Sequence, residues 1–245
     1  MSQAKTSGNL LTEGPIARKM LAFAFPLFLG NLFQQLYNTA DSLIVGNFIG
    51  SDALAAVSSS GSLIFLLVGF FNGVSVGAGV VIARYFGARD KESVERAVHT
   101  TVAFGLVAGV LLTVIGIIFT PLILRLMGTP EDVLPSSVLY FRIYFCGSVA
   151  FVMYNICVGI LQSSGDSKHP LYYLIFSSMT NVVLDLLFVA VFHWGVGSAA
   201  LATIISQFAS AILCFSRLVR SDAEYRIVIR RIRFDMPMLK LVVRN

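Results

Sequence analysis

The chain has 245 residues, of which 56% are hydrophobic and only 13% are charged. Soluble domains carry about 25% charged residues, so this composition excludes an ordinary soluble globular protein and indicates an integral membrane protein. The formal net charge of +5 could suit a nucleic-acid partner, but the positions of the basic residues, described below, argue against one.

Six stretches are long and apolar enough to cross a bilayer, for which about 20 mostly apolar residues suffice. The pattern therefore predicts an all-α integral membrane protein with a six-transmembrane-helix bundle over residues 16–219, preceded by a polar tail, residues 1–15. A basic, amphipathic linker follows in residues 220–245, where we expect an interfacial helix and then the start of a seventh helix at Met236 or Pro237. The six predicted spans are roughly residues 16–46, 53–83, 97–120, 136–162, 169–192 and 195–218.

The first span carries a stripe of polar side chains. Asn31, Gln34, Asn38 and Asp41 are spaced three, four and three residues apart, which places them on one face of a helix. Such a stripe is costly in lipid unless it faces a cavity or a partner. Pro26 lies in the same span, where its missing N–H removes a backbone hydrogen bond and permits a kink.

Of the 13 acidic residues, only Asp41 and Asp185 lie well inside predicted spans. Asn181 precedes Asp185 by one helical turn, and Ser178 lies on the same face. Thr203 in the sixth span and Tyr140 in the fourth lie at a similar depth, roughly 6 to 12 Å below the outer surface at 1.5 Å per residue. If the spans pack together, these polar groups form one shared site.

The chemistry open to this set is narrow. Two carboxylates in a medium of low dielectric constant resist being ionised together, which suits a proton carrier. Carboxylates, an amide oxygen and a hydroxyl are also hard oxygen ligands, so Na⁺ suits them as well as H⁺. No nucleophile–base pair, phosphate loop or metal-ligand spacing is present, so we expect neither an enzyme nor a cofactor. His99 lies near a span end, where an interfacial residue is the simpler interpretation than a proton relay.

The basic residues report the orientation of the spans. Sixteen of the 18 lie in the N-terminal tail and in alternate connections, and only Arg125 and Arg142 lie on the opposite side. By the positive-inside rule, both chain ends are cytoplasmic in a multi-pass protein of the cytoplasmic (inner) membrane. The membrane topology thus accounts for the positive charge without a nucleic-acid partner. The basic cluster at 217–233 can also attract anionic membrane lipid.

Several motifs lie along the chain around these polar residues: Pro26, YNTADSLIVGNFIGSDALAAVS, IARYFGARD, LQSSGDSKHP, NVVLDLLF and GVGSAALATIISQF. Together they resemble the N-terminal half of the multidrug and toxic compound extrusion (MATE) family of transporters. The resemblance covers essentially residues 13–245, and the acids in both the first and the fifth helix are similar to those of the prokaryotic branch.

The resemblance implies a twelve-helix fold with two six-helix lobes, of which this chain is the first. It implies an antiporter that exports cationic or amphipathic small molecules against H⁺ or Na⁺. It also implies that a second lobe is needed, either a missing C-terminal half or a second copy. The positions it assigns to cation coupling, with a possible Na⁺ site, are Asp41, Asn181, Asp185 and Thr203, and Tyr37 and Tyr140 lie nearby.

Two other functions stay open at this stage. A flippase for lipid-linked oligosaccharides, from the same wider superfamily, would line its cavity with basic residues, whereas the span interiors here are almost free of Lys and Arg. A non-transporting membrane interaction subunit would need no paired acids.

The polar residues Gln34, Tyr37, Asn38 and Tyr140 are predicted to line the substrate path.

Overall fold

The computed structural model describes residues 16–50, 54, 55, 57 and 61–244. We number its α-helices in chain order, and a π-helical turn, Leu186–Val191, continues α6 while a 3-10 turn, Ile229–Arg231, precedes α8. The helices are α1 (Ile16–Phe48), α2 (Gly61–Gly87), α3 (Lys91–Leu126), α4 (Leu134–Cys146), α5 (Ser148–Ser163), α6 (Lys168–Asp185), α7 (Gly197–Val219) and α8 (Met236–Arg244).

The predicted spans correspond to these helices. Five helices, α1, α2, α3, α6 with its π turn, and α7, are each long and apolar enough to cross a membrane, and the bent pair α4–α5, counted as one span, brings the number to six. Helix α3 begins before the predicted third span, at Lys91, where the Asp90 carboxylate caps it by accepting a hydrogen bond of 3.1 Å from the Ser93 N–H. Much of the predicted segment 53–60 lies outside the described residues.

The fourth span is bent by 49° between α4 and α5, at Gly147. The absence of a side chain at Gly147 allows close contact with α7, since a Cβ there would lie 2.7 Å from Cγ1 of Ile204. The bend therefore depends on a glycine that brings α4 and α5 against α7.

Helix α5 lies at the centre of the bundle and packs against α2, α3 and α7. Small residues permit these close approaches, as is usual between helices in lipid. Ser75 of α2 donates a 2.6 Å hydrogen bond to the Asn155 carbonyl of α5. A Cβ at Gly109 of α3 would lie 2.9 Å from the Val149 Cα.

Helix α1 lies at the edge of the bundle. Its main contacts are with α6 and the π turn that follows it. Large apolar side chains such as Leu21, Phe25 and Phe28 remain exposed along its length. Among the described residues, α1 therefore packs mainly along one side, and near its C-terminal end Val45 is buried in a second apolar cluster.

The linker between α7 and α8 corrects one prediction. In place of an interfacial helix, residues 220–235 form an extended path with the single 3-10 turn, and the segment folds back against α3. Ile227 is 1% exposed and belongs to the main apolar core. The non-helical segment thus packs against the core through Ile227, and α8 then begins at Met236.

The interpretation of His99 as an interfacial residue is also wrong. Its ring is 2% exposed, its Nδ1 lies 2.7 Å from the Glu95 carbonyl oxygen, and its Nε2 accepts a 2.9 Å hydrogen bond from the Val228 N–H. Because a backbone N–H can only donate, Nε2 must be unprotonated and Nδ1 must carry the hydrogen. Neutral His99 thus fixes the linker to α3.

Ion pairs strengthen the same junction. Asp235 receives hydrogen bonds from Nε and Nη2 of Arg96, at 2.8 and 2.5 Å, and Arg231 pairs with Glu95 at 2.7 Å. The other Asp235 oxygen accepts the Met238 N–H at 3.1 Å, which caps α8. This backbone hydrogen bond and the Arg96 guanidinium hold the pKa of the Asp235 carboxyl below its usual value.

Candidate functional site

Three helices bring the predicted polar residues together. Asp41 comes from α1, Asn181 and Asp185 from α6, and Thr203 from α7. Asp185 is 0% exposed and Asn181 is 1% exposed, whereas Asp41 is only half-buried. Burying the Asp185 carboxyl and the Asn181 amide to this degree costs free energy unless hydrogen bonds or a bound ion satisfy their polar atoms.

Two donors of this cluster, the Thr203 hydroxyl and the Asn181 amide, already make hydrogen bonds. The Thr203 hydroxyl donates to the Ala199 carbonyl at 3.0 Å, and its oxygen accepts from the Asn181 amide Nδ2 at 3.4 Å. These two bonds fix the orientation of the Asn181 side chain, with its carbonyl oxygen left as an acceptor. The cluster therefore presents oxygen acceptors and few free donors.

Four of these oxygens have no hydrogen-bond partner among the described residues: Asp41 Oδ1, Asn181 Oδ1 and both carboxyl oxygens of Asp185. The carboxyl groups of Asp41 and Asp185 lie close enough to interact electrostatically, and Asn181 lies near Asp185. Two neighbouring carboxylates repel each other unless a proton or a cation lies between them. This set of hard oxygens fits H⁺ or a small cation such as Na⁺.

A group of tyrosines surrounds the carboxylates. Tyr140, 3% exposed, interacts electrostatically with both acids, and its ring is stacked on Tyr144 with centroids 6.4 Å apart. Tyr37 also interacts with both acids, and its hydroxyl accepts a 3.1 Å hydrogen bond from Gln34 Nε2. The aromatic surroundings keep this cluster apart from lipid and solvent on one side.

The polar stripe of α1 is divided between two environments. Gln34 and Asp41 are half-buried, whereas Asn31 and Asn38 are exposed. Asn38 Nδ2 donates to Gln35 Oε1 at 3.4 Å on the exposed face, so the structure places Asn38 outside the buried cluster.

Pro26 lies one third of the way along α1, which is helical on both sides of it. Because proline lacks an N–H, it cannot donate to the Ala22 carbonyl. Both residues line an apolar cavity of about 610 Å³ together with Phe25 and Lys168.

Two further residues lie near the predicted site residues. Ser178, which the sequence places on the same helix face as Asn181 and Asp185, is buried, and its hydroxyl has no hydrogen-bond partner among the described residues. Tyr144, which interacts with Gln207 of α7, was not singled out, although it follows Tyr140 by one helical turn. The α-helix α6 also changes to a π turn directly after Asp185, a feature that often accompanies functional sites and has no simple sequence signal.

Comparisons with known proteins agree with this architecture. The MatE family model matches residues 26–187. The chain is 37% identical over 234 residues to the probable multidrug resistance protein YoeA of Bacillus subtilis (strain 168), which covers 93% of this chain and 50% of that protein. It is 31% identical over 196 residues to the probable multidrug resistance protein YpnP of the same strain, over 80% of this chain and 44% of that protein.

A solved structure, the outward-facing conformation of a multidrug resistance MATE family transporter of the MOP superfamily, matches with a TM-score of 0.90 at 28% identity. The match covers 99% of this chain and 54% of that one. The chain thus spans about half the length of the relatives that it matches. The match confirms the predicted all-helical, multi-pass membrane fold and, since the family consists of transporters, the prediction that the chain is not an enzyme. The chain belongs to the MatE family.

Proposed function

We propose that this chain is the first six-helix lobe of a cation-coupled antiporter that exports cationic or amphipathic small molecules. The observation that carries the proposal is the proximity of Asp41 and Asp185, with four acceptor oxygens that have no hydrogen-bond partner among the described residues. One proton or one Na⁺ would supply the positive charge that this cluster lacks. Asn181 and Thr203 complete the set of oxygens around the ion.

The coupling mechanism follows from the position of α1. This helix packs mainly on α6 and the π turn, so the two carboxyl groups lie in its principal contact with the bundle. A bound cation draws Asp41 and Asp185 together and holds α1 against α6. Loss of the cation leaves two like charges in contact, and their repulsion loosens α1 near the cavity beside Pro26.

Substrate competes with the coupling ion at Asp41. This side chain is half-buried, whereas Asp185 is fully enclosed, so an organic cation reaches Asp41 first. Gln34, Tyr37, Asn38 and Tyr140 line the approach in this scheme. Binding of an organic cation at Asp41 removes one ligand of the coupling ion, which makes the two cations alternate.

The same proposal includes a second lobe and an orientation. Alternating access in transporters built from two repeats needs both halves to move around the binding site. Coverage of only 50% of YoeA supports a partner lobe, supplied by a C-terminal half or a second copy. The distribution of basic residues supports the cytoplasmic membrane, with both ends of the lobe cytoplasmic.

The test is transport by the chain together with its second lobe, reconstituted in vesicles with a pH or Na⁺ gradient and a fluorescent organic cation. We expect Asp41→Asn and Asp185→Asn each to abolish gradient-driven export. The amide at the substituted position can neither exchange a proton nor neutralise Na⁺, and the proposed mechanism needs both carboxyl groups. Asp132→Asn, an exposed carboxylate in the α3–α4 turn, is the matched control and should leave export unchanged. Export that persists with normal coupling in both site variants would contradict the proposal.

A further inference from the structure

A second polar cavity lies where the linker crosses α3, apart from the carboxylate cluster. It has a volume of about 260 Å³ and is lined by Glu95, Arg96, His99, Thr100, Arg230, Arg231, Arg233 and Asp235. By connectivity it lies at the end of the bundle where α2 ends and α3 begins, whereas Asp185 lies toward the opposite end of α6. Neither the cation mechanism nor the packing of the helices uses this cavity.

The cavity carries an excess of positive charge. Four arginines and two carboxylates line it, and the carboxylates of Glu95 and Asp235 are already paired with Arg231 and Arg96. Arg233 interacts only electrostatically with Asp235, and Arg230 has no ion-pair partner in the part of the chain that the structure describes. His99 adds no charge, because its Nε2 accepts the Val228 N–H.

One buried hydroxyl in the wall has no hydrogen-bond partner. Thr100 is 1% exposed, and its Oγ1 makes no hydrogen bond to any described residue. The neighbouring Thr101 donates to the carbonyl four residues earlier at 2.8 Å, as buried helical threonines commonly do. An unbonded buried hydroxyl costs free energy, and Thr100 lines this arginine-rich cavity.

We propose that this cavity binds a phosphate group, taken either from the headgroup of an anionic membrane lipid or from free phosphate. Guanidinium groups and a hydroxyl donor are the chemistry that recognises phosphate oxygens. A volume of about 260 Å³ is smaller than the roughly 300–1,000 Å³ of pockets for drug-sized ligands, and its positive charge repels organic cations. The ligand bridges α3 to Arg230 and Arg233, so it fastens the linker to the bundle.

The experiment measures binding to the purified, delipidated protein. Inorganic phosphate is titrated calorimetrically, and phosphatidic acid and phosphatidylcholine are added for native mass spectrometry. If phosphatidic acid binds saturably and inorganic phosphate does not, the source of the phosphate group is the lipid headgroup. If both bind with comparable affinity, the source is free phosphate. Absence of saturable binding of either probe overturns the proposal.

Thr100→Val separates a specific site from general attraction, because it changes no charge. We expect at least about a tenfold loss of affinity, as for a lost hydrogen bond to a charged group, and Thr100→Ser should restore binding. Arg230→Gln combined with Arg233→Gln should weaken binding by about fivefold for each arginine.

Arg226→Gln is the matched control, since Arg226 is an exposed arginine of the same linker that does not line the cavity. Its effect should stay within about twofold because salt screens distant surface charges. The proposal is overturned if Arg226→Gln weakens binding as much as the double variant, or if Thr100→Val binds like the wild type.

Discussion

Asp41 and Asp185 are chemically identical, but their surroundings differ. Asp185 is fully buried at the point where α6 becomes a π turn, whereas Asp41 is half-buried on a helix at the edge of the bundle. In the proposed mechanism, a cation held by both acids is enclosed on the α6 side and accessible on the α1 side. We therefore propose Asp185 as the fixed ligand and Asp41 as the one that exchanges partners.

Two buried threonines allow a matched prediction at the residue scale. Thr203→Val removes the acceptor of the Asn181 amide, so it should lower the free energy of unfolding by about 1–3 kcal/mol. Thr100→Val removes a hydroxyl that has no partner among the described residues and should leave stability unchanged or slightly higher. Thermal unfolding of both variants in detergent measures the difference, and equal destabilisation would contradict the hydrogen-bond assignments.

The residues of the site were largely predictable, for a physical reason. Charged side chains inside apolar spans are rare, so Asp41 and Asp185 stand out in the sequence, and helical spacing adds Asn181. The division of the α1 stripe was not predictable, since the burial of Gln34 and the exposure of Asn38 depend on how α1 is rotated against α6. The role of His99 in holding the linker could not be predicted either, because its hydrogen-bond partner Val228 lies 129 positions away in the sequence.

At the scale of elements, the bend between α4 and α5 lies close to Tyr140 and Tyr144, the tyrosines of α4 at the candidate site. Gly147→Ala would place a Cβ 2.7 Å from Cγ1 of Ile204, and overpacking of this kind costs about 1–3 kcal/mol. We expect a lower midpoint of thermal unfolding, partly restored by Ile204→Ala in the double variant. Gly73→Ala, with no atom within 4 Å of the added Cβ, is the control and should be neutral or stabilising.

The linker gives a pH-dependent prediction. The pKa of Asp235 is held below its usual value in the folded protein, first by the Met238 N–H and then by Arg96. A lowered folded-state pKa means that the stabilisation is present above the unfolded value of about 3.9 and is lost as pH falls through the lower folded value.

The difference in unfolding midpoint between the wild type and Asp235→Asn should therefore be constant near neutral pH and shrink below about pH 4. Unfolding scans of the two proteins over this range measure it. A difference that stays constant down to the lowest pH would contradict this prediction, because it would mean that the charge of the Asp235 carboxylate does not stabilise the folded protein.

Helix positions were easier to predict than helix details. Apolar length predicted where the long helices lie, because a span in lipid requires about 20 apolar residues, and five of the described helices, or six spans with the bent pair α4–α5, are long and apolar enough to cross a membrane. The extended path of 220–235 was missed, since a basic amphipathic sequence is also typical of an interfacial helix. Only the burial of Ile227 in the core and the Val228 hydrogen bond reveal the alternative.

At the scale of the whole molecule, α1 lies outside the main apolar core of the lobe. Helices α2, α3, α5 and α7 share that core, whereas α1 has exposed apolar side chains along most of its length. Its attachment to α6 passes through the carboxylate cluster. In the proposed mechanism, the occupancy of one small polar site thus controls the position of a complete transmembrane helix.

The most direct test of this account measures how cations change the stability of the lobe. Thermal unfolding is followed in detergent for the wild type and Asp185→Asn, across pH and with Na⁺ or choline at equal ionic strength. A ligand at 100 times its Kd stabilises the folded state by about 2.7 kcal/mol. We predict that protonation, or Na⁺ at higher pH, raises the wild-type midpoint and leaves Asp185→Asn unchanged. An equal response of both proteins to cations would contradict the claim that Asp41 and Asp185 hold the coupling ion.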